Sequence, residues 1–332
     1  MTDTVDQATL DRVFRPLVQN AVDQFGYAPR DVYLGIFDFR HIKAKHDEAV
    51  RLADYSMLAA FATKCSGDRS LDALSHKLIT VKPTTYLPEE DKWDIDFKSP
   101  YVLGKVMGSA LPKDNGYLWP IYRSLRGAPG SSTMAGHFFE EIVHRIFASG
   151  WNQGPHKPQP TPMVSDGNDP PMFSSDPAST LPLVSSLPPL FTGPMTTMNV
   201  DFKSKNLNVP VDDKRYYKPS KVDNPLFDSF TVGREPNGDI SISIFQITVF
   251  ESQGGSSEGY EHIRRITECV QEPNTEVKVT YLLVCPEGEL RKWSMPAGWS
   301  ENSSSNNHSG DAFCVRVRVP GTRRPFTPNF AT

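Results

Sequence analysis

Eleven of the chain's 29 prolines fall within residues 155–194. Each proline fixes its own φ and lacks a backbone N–H, so no helix interior or central strand can run through the stretch. Ser, Thr, Gly and Asp fill most of the gaps, and large apolar residues mostly stand alone. Such a segment buries too little surface to offset its ordering entropy and reads as a disordered, polyproline-like insertion or linker. A loop of that length is uncommon inside a compact domain, so it either interrupts one folded unit or separates two. A length of 332 residues fits two units.

The remaining composition is globular: 38% hydrophobic and 22% charged residues suffice for a core. The net charge of −4 argues against a general polyanion binder but leaves room for a local basic groove. Cys65, Cys269, Cys285 and Cys314 are far apart and form no CxxC pair, which leaves zinc and thioredoxin-like readings without support and favours buried, reduced thiols. No apolar run reaches the roughly 20 residues of a membrane span. No secretory signal pattern opens the chain, so the expectation is a nuclear or cytoplasmic protein with no membrane partner.

Periodicity divides the chain into an α part and a mixed part. Apolar residues at three- and four-residue spacing predict helices over 11–24, 42–63, 100–111 and 136–147, with Pro16 in a first turn or at a kink, Gly26 as a stop and Pro29 as a start. Residues 75–81 read as a short strand. Beyond the prolines, 198–202, 215–217, 226–232, 239–250, 276–285 and 313–319 read as strands and 259–270 as a helix, an α/β or α+β pattern. DISISIFQITVF, at 239–250, is the clearest strand, rich in β-branched residues.

Three groups of residues carry potential chemistry. His137, Glu140, Glu141 and His144 recur at helical spacing near one face, which suits either a site or a solvated surface. The run HFFEEIVH is not the HExxH of a zinc protease. Asp228 interrupts the apolar run PLFDSF, either as a metal-binding carboxylate or as a turn residue. Gln246 and Thr248 alternate with Phe245, Ile247 and Val249, so they share one face of an apolar strand and need partners if buried. Lys203, Lys205, Lys214, Arg215, Lys218 and Lys221 precede Asp228 around Tyr216 and Tyr217, a pattern that suits a phosphate backbone or a solvated surface.

In order, GHFFEEIVH, RYYKPSKVDNPLFDSF, SIFQITVF and YLLVCP resemble landmarks of the restriction-endonuclease-like module in the Crinkler and retrotransposon-hot-spot proteins of fungi, oomycetes and trypanosomes. Upstream, FGYAPRDVY resembles the Gly-Gly-x-Pro-Arg turn in the lid of AAA-type ATPase modules, with Arg30 at the nucleotide-sensing position. SHKLITVKP and FKSPYVLGKV resemble the segments that follow that lid. The resemblance implies an α+β or α/β chain: a helical lid-like remnant over 1–125, then a restriction-endonuclease-like mixed sheet flanked by helices over 126–332, interrupted by the proline-rich insertion at 155–194.

The resemblance also implies roles. Glu140, Asp228 and Gln246 would hold Mg²⁺, with Thr248 completing the catalytic set. Lys203, Arg215 and Lys218 would contact phosphate, and His144, Tyr217 and His262 would support the site. No GxxxxGK[ST] loop is present, so neither nucleotide binding nor ATP hydrolysis is expected. Gln-x-Thr replaces the usual Asp/Glu-x-Lys, and Gln brings a carbonyl oxygen but no charge to a cation. The resemblance therefore implies either a metal-dependent DNA endonuclease-like effector, or an inactive nuclease-fold module that binds DNA or host or self nuclear proteins.

Overall fold

In a computed structural model, the described residues are 7–52, 75–83, 93–109, 115–128, 130–150, 160–165, 172–175, 193–220, 224, 226–250, 252–254, 256, 258–287, 291–294 and 311–317. The fold is mixed α+β and divides into two compact units, Met1–Glu141 and Ile142–Thr332. Sequence reading expected a boundary near residue 125. The division into these two units falls within the helix Ser132–Ala148. No helix among the described residues is long and apolar enough to cross a membrane.

The first unit begins with α1 (Gln7–Thr9), a π-helical turn (Leu10–Phe14) and α2 (Arg15–Phe25). In a regular helix the Pro16 ring would collide with the carbonyl four residues earlier, and the wider π turn immediately precedes it. Gly26 ends α2 at φ +78°, its N–H bonded to Val22 O at 2.8 Å, and a Cβ there would collide with the Lys98 carbonyl. Pro29 opens α3 (Pro29–Phe37), followed by α4 (Phe39–Leu52). The predicted helical stretch beyond residue 52 lies outside the described residues, as does the end of the one predicted over 100–111. Ala21, Phe25 and Ile42 form the centre of this helical core.

The expected strand at 75–81 is in fact a single helical turn, α5 (Ser75–Leu78), running into β1 (Ile79–Pro83), which pairs antiparallel with β2 (Trp93–Phe97). Then come α6 (Pro100–Ser109), α7 (Asn115–Gly127) and α8 (Ser132–Ala148).

Within this unit His46 is 1% exposed. Its ring packs on Phe25 at 5.2 Å, and its Nε2 stands 3.9 Å from Asp31 Oδ2, the carboxylate that pairs with Lys98. Burial, then the charge of Lys98, lowers the His46 pKa against the pull of Asp31; the Lys77 charge adds to the lowering and a Lys77 backbone hydrogen bond opposes it. The unfolded chain therefore takes up a proton near the usual 6.5 while the folded chain resists it. Stability is full above pH 6.5 and is lost as the pH falls from there toward the folded value. Urea titrations at stepped pH are expected to show this slope, and His46→Phe is expected to flatten it relative to wild type.

The second unit is built on a seven-stranded mixed sheet, in the order β3-β13-β11-β9-β8-β7-β6. These strands are β3 (Pro160–Pro162), β6 (Thr196–Val200), β7 (Asp212–Pro219), β8 (Ser229–Arg234), β9 (Ile240–Ile247), β11 (Val277–Pro286) and β13 (Asp311–Val317). β7–β8 and β8–β9 are antiparallel, β9–β11 and β11–β13 parallel. Helix α9 (Glu258–Val270) makes the crossover from β9 to β11. Parallel pairing leaves both faces to be covered, and every residue of β9 is buried. Ile240, Ile242 and Ile244 join the cluster containing Ile263, Ile266 and Val270 of α9. On the alternate face Phe245 meets Phe147 of α8, with ring centroids 5.0 Å apart.

The proline-rich stretch, expected to be disordered, carries three short strands among its described residues. Besides β3 these are β4 (Val164–Ser165) and β5 (Met172–Ser175), which join a small sheet with β10 (Ser252–Gly254) and β12 (Arg291–Ser294). Their placement reconciles proline with strand structure. Met163 N–H bonds to Ala312 O at 2.9 Å, so alternation turns Pro160 and Pro162 to the outer edge, where no N–H is needed.

The expectation of buried thiols fits Cys285 and Cys314, whose Sγ atoms are 3.5 Å apart. Cys269 is exposed, and Cys65 lies outside the described residues.

Candidate functional site

Asp228 stands one residue before β8, and its N–H bonds to Phe245 O at 2.8 Å. The β8–β9 register pairs Ser229 with Phe245, which sets Asp228 beside Gln246 on the neighbouring strand. Asp228 Oδ2 accepts from Gln246 Nε2 at 2.9 Å and from Ile247 N–H at 2.6 Å. Gln246 is 8% exposed, so its amide needs this partner. The carboxylate in turn receives two donors aligned on one oxygen, a strong charge-assisted arrangement.

The loop leading into Asp228 is held by Asn224. Its Oδ1 accepts from the N–H groups of Leu226 (3.3 Å) and Phe227 (3.4 Å), and its Nδ2 lies 3.2 Å from His262 Nδ1 on α9. This is an Asx turn, in which a short polar side chain stands in for backbone partners. Burial, then Arg265, lowers the His262 pKa against the opposite pull of Glu261 and Glu258. A neutral ring can accept from Asn224. The ring also stacks on Phe202, centroids 4.3 Å apart and planes 13° apart. Gly259, at the start of α9, lets Leu226 pack close, since any Cβ there would collide with the leucine.

A second polar group lies on the face that α8 covers. His144 Nδ1 is 2.6 Å from Tyr216 Oη, which donates to Ser229 Oγ at 2.6 Å. All three are buried, at 4%, 0% and 0% exposure. Phe147 and Phe245 pack around Tyr216. By strand alternation, Gln246 shares the face of Ile242 and Ile244, whereas Phe245 and Ser229 face α8. The Asp228 and His144 groups therefore belong to opposite faces of the sheet.

The other residues singled out in the sequence fall as follows. Glu140 is half-buried on α8, one helical turn before His144, and belongs to the first unit; Asp228 and Gln246 belong to the second. Thr248 was expected beside Gln246 in the catalytic set. It serves the turn after β9 instead: its N–H bonds to Val284 O at 2.9 Å and its Oγ1 accepts from Phe250 N–H at 3.1 Å. Tyr217, expected to support the site, is a core residue, 1% exposed, stacked on Phe230 and donating to Pro210 O. Burial raises its pKa. Arg215, expected to meet phosphate, pairs with Asp212 at 2.9 Å, so its charge is already countered. Lys218 is half-buried on β7. Lys203, Lys205 and Lys214 are exposed and enter no ion pair among the described residues. Lys221 lies outside them.

Sequence reasoning missed Tyr216, Ser229 and Asn224. Only Asn224 left a local signal, an Asn two and three residues ahead of the amides that it caps.

A divalent cation needs several oxygen lone pairs aimed at one point. Here Gln246 turns its amide nitrogen, not its oxygen, to Asp228, and Asp228 Oδ2 is aimed at two N–H donors. Among the described residues no three His, Cys, Asp or Glu side chains group as a metal site. This donor set fits a hydrogen-bonded carboxylate and does not fit a Mg²⁺ centre. No protein-family model, curated protein or solved structure matches the chain.

Proposed function

We propose that Ile142–Thr332 is a nuclease-fold module of Crinkler type that binds DNA without cleaving it. The observation that carries this reading is the pairing of Asp228 with Gln246 and the Ile247 amide. The position is the one that the resemblance gives to the catalytic carboxylate, yet its bonds are those of a structural anchor. Lys203, Lys205 and Lys214, exposed and without an ion pair among the described residues, supply charge for a phosphate backbone. Nuclear proteins of a host or of the same organism are the alternative partners of such a module.

Hydrolysis is the second reading. It is favoured by the adjacency of Asp228 and Gln246 on antiparallel strands, flanked by α8 and α9, since nucleases of this superfamily draw acidic residues from a helix and adjacent strands.

Fluorescence anisotropy with a labelled DNA duplex tests the binding claim. Wild type is expected to bind with an affinity that falls as salt rises, and Lys203→Ala with Lys205→Ala to reduce the salt slope by about two. No binding at low salt by protein at about 100 μM, roughly the affinity of ordinary non-specific binders, contradicts the claim.

A further inference from the structure

Helix α3 of the first unit satisfies the core without its aromatic residues. Val32, Leu34 and Ile36 pack against the cluster of Ala21, Phe25 and Ile42. Gly35 lies so close to the Phe25 ring that a Cβ there would collide with it. Arg30, Tyr33 and Phe37 recur three and four residues apart and share another face. That face is open: Tyr33 is 62% and Phe37 66% exposed, with ring centroids 4.7 Å apart. Tyr27, in the turn before the helix, is 78% exposed. Single exposed aromatics are ordinary on a protein surface, but two in contact, with a third close by in sequence, form a patch.

The charge around the rings is of one sign. Arg30, on the same face, and Arg40 and Lys45, early in α4, are exposed and enter no ion pair among the described residues. Residues 27–45 contain only two carboxylates, Asp31 and Asp38. Asp31 is already paired with Lys98, and Lys43 is paired with Asp47. Three cations are thus left against Asp38 alone, in a chain whose net charge is −4. In chain order the exposed groups alternate as ring and cation: Tyr27, Arg30, Tyr33 with Phe37, then Arg40.

The cations select a polyanion, and the rings select one that offers flat, unstacked faces. A single-stranded nucleic acid supplies both: its bases stack on aromatic side chains and its phosphates meet arginine and lysine. A duplex keeps its base faces inside its own stack and can use only the cations. We propose that the exposed face of α3, with Tyr27 and Arg40 at its two ends, is a docking surface for single-stranded nucleic acid. Stacking and phosphate contacts leave the sugar unread, so the surface separates single from double strands and not ribose from deoxyribose. It is independent of the lysines on the second unit. A few rings and cations make a weak, salt-sensitive site.

Fluorescence anisotropy on the full chain, with a labelled oligothymidylate of about 12 nucleotides, tests this directly. Wild type is expected to bind at low salt with a Kd of about 1–100 μM. Tyr33→Ala with Phe37→Ala is expected to raise that Kd by about tenfold or more while leaving duplex binding unchanged. Tyr33→Trp with Phe37→Trp keeps the stacking faces and is expected to retain binding, with indole emission quenched as the oligonucleotide is added. Arg30→Ala with Arg40→Ala is expected to reduce the salt slope by about 1.4. Lys203→Ala with Lys205→Ala is expected to leave the single-strand Kd within about twofold of wild type, which separates this surface from the second unit's lysines. All four residues of α3 and α4 substituted here are exposed, so the fold is kept, which circular dichroism checks. No single-strand binding by protein at about 100 μM overturns the proposal. So does a Kd untouched by loss of both rings, or a loss of duplex binding equal to that for the single strand.

Discussion

Phe230→Ala is expected to destabilise the second unit by about 3–5 kcal/mol, the range for deleting a buried aromatic side chain. Phe230 is fully buried on β8. It stacks on Tyr217 with centroids 4.9 Å apart, meets Phe227 edge-on at 5.9 Å and touches Phe202 at 6.3 Å. Three rings from three segments therefore lose their common neighbour, and the backbone around them is pinned by strand pairing on both sides. The cavity has little means of collapsing, which puts the cost toward the upper end. Phe202 also stacks on His262, so the disturbance reaches the Asn224 turn and Asp228. Chemical denaturation with peptide-resolved hydrogen exchange over β8 and β9 is the measurement, and near-wild-type protection there contradicts the packing account.

Tyr216→Phe removes a single oxygen and is expected to cost about 2–3 kcal/mol, far more than the usual loss of one hydrogen bond. The hydroxyl bridges His144 Nδ1 and Ser229 Oγ, both buried. Without it, each loses that partner where no water can replace it. The asymmetry of hydrogen bonding gives a sharper form of the test. Tyr216→Phe with Ser229→Ala removes donor and acceptor together and is expected to be less damaging than the sum of the single changes. Additive costs contradict the bridge.

How much of this was legible in the sequence depends on the range of the signal. The long elements were: β9 and α9 follow from β-branched alternation and from helical spacing. The short strands β3, β4, β5, β10 and β12 were not, because two to four residues carry no period. β3 is hidden further by its prolines, whose compatibility with a strand depends on which side faces the neighbour. Asp228, Gln246 and Thr248 stood out as polar residues in apolar strands, but their bonds did not. The pairing of Asp228 with Gln246 is set by the β8–β9 register, and Thr248 falls past the end of β9 into a turn. Tyr216 and Tyr217 look identical in the sequence. The alternation of β7 sends one to His144 and the other into the core, and nothing local chooses between them.

The central claim is that Asp228 is a structural anchor in the mixed sheet and no ligand to a catalytic cation. Incubation of supercoiled plasmid with the full chain in Mg²⁺, beside Asp228→Asn, tests it most directly. Asn keeps an acceptor for Gln246 and Ile247, so the fold is preserved while the negative charge is lost. The account predicts that plasmid stays supercoiled with both proteins. Nicking by wild type that disappears in Asp228→Asn would contradict it and establish the carboxylate as catalytic.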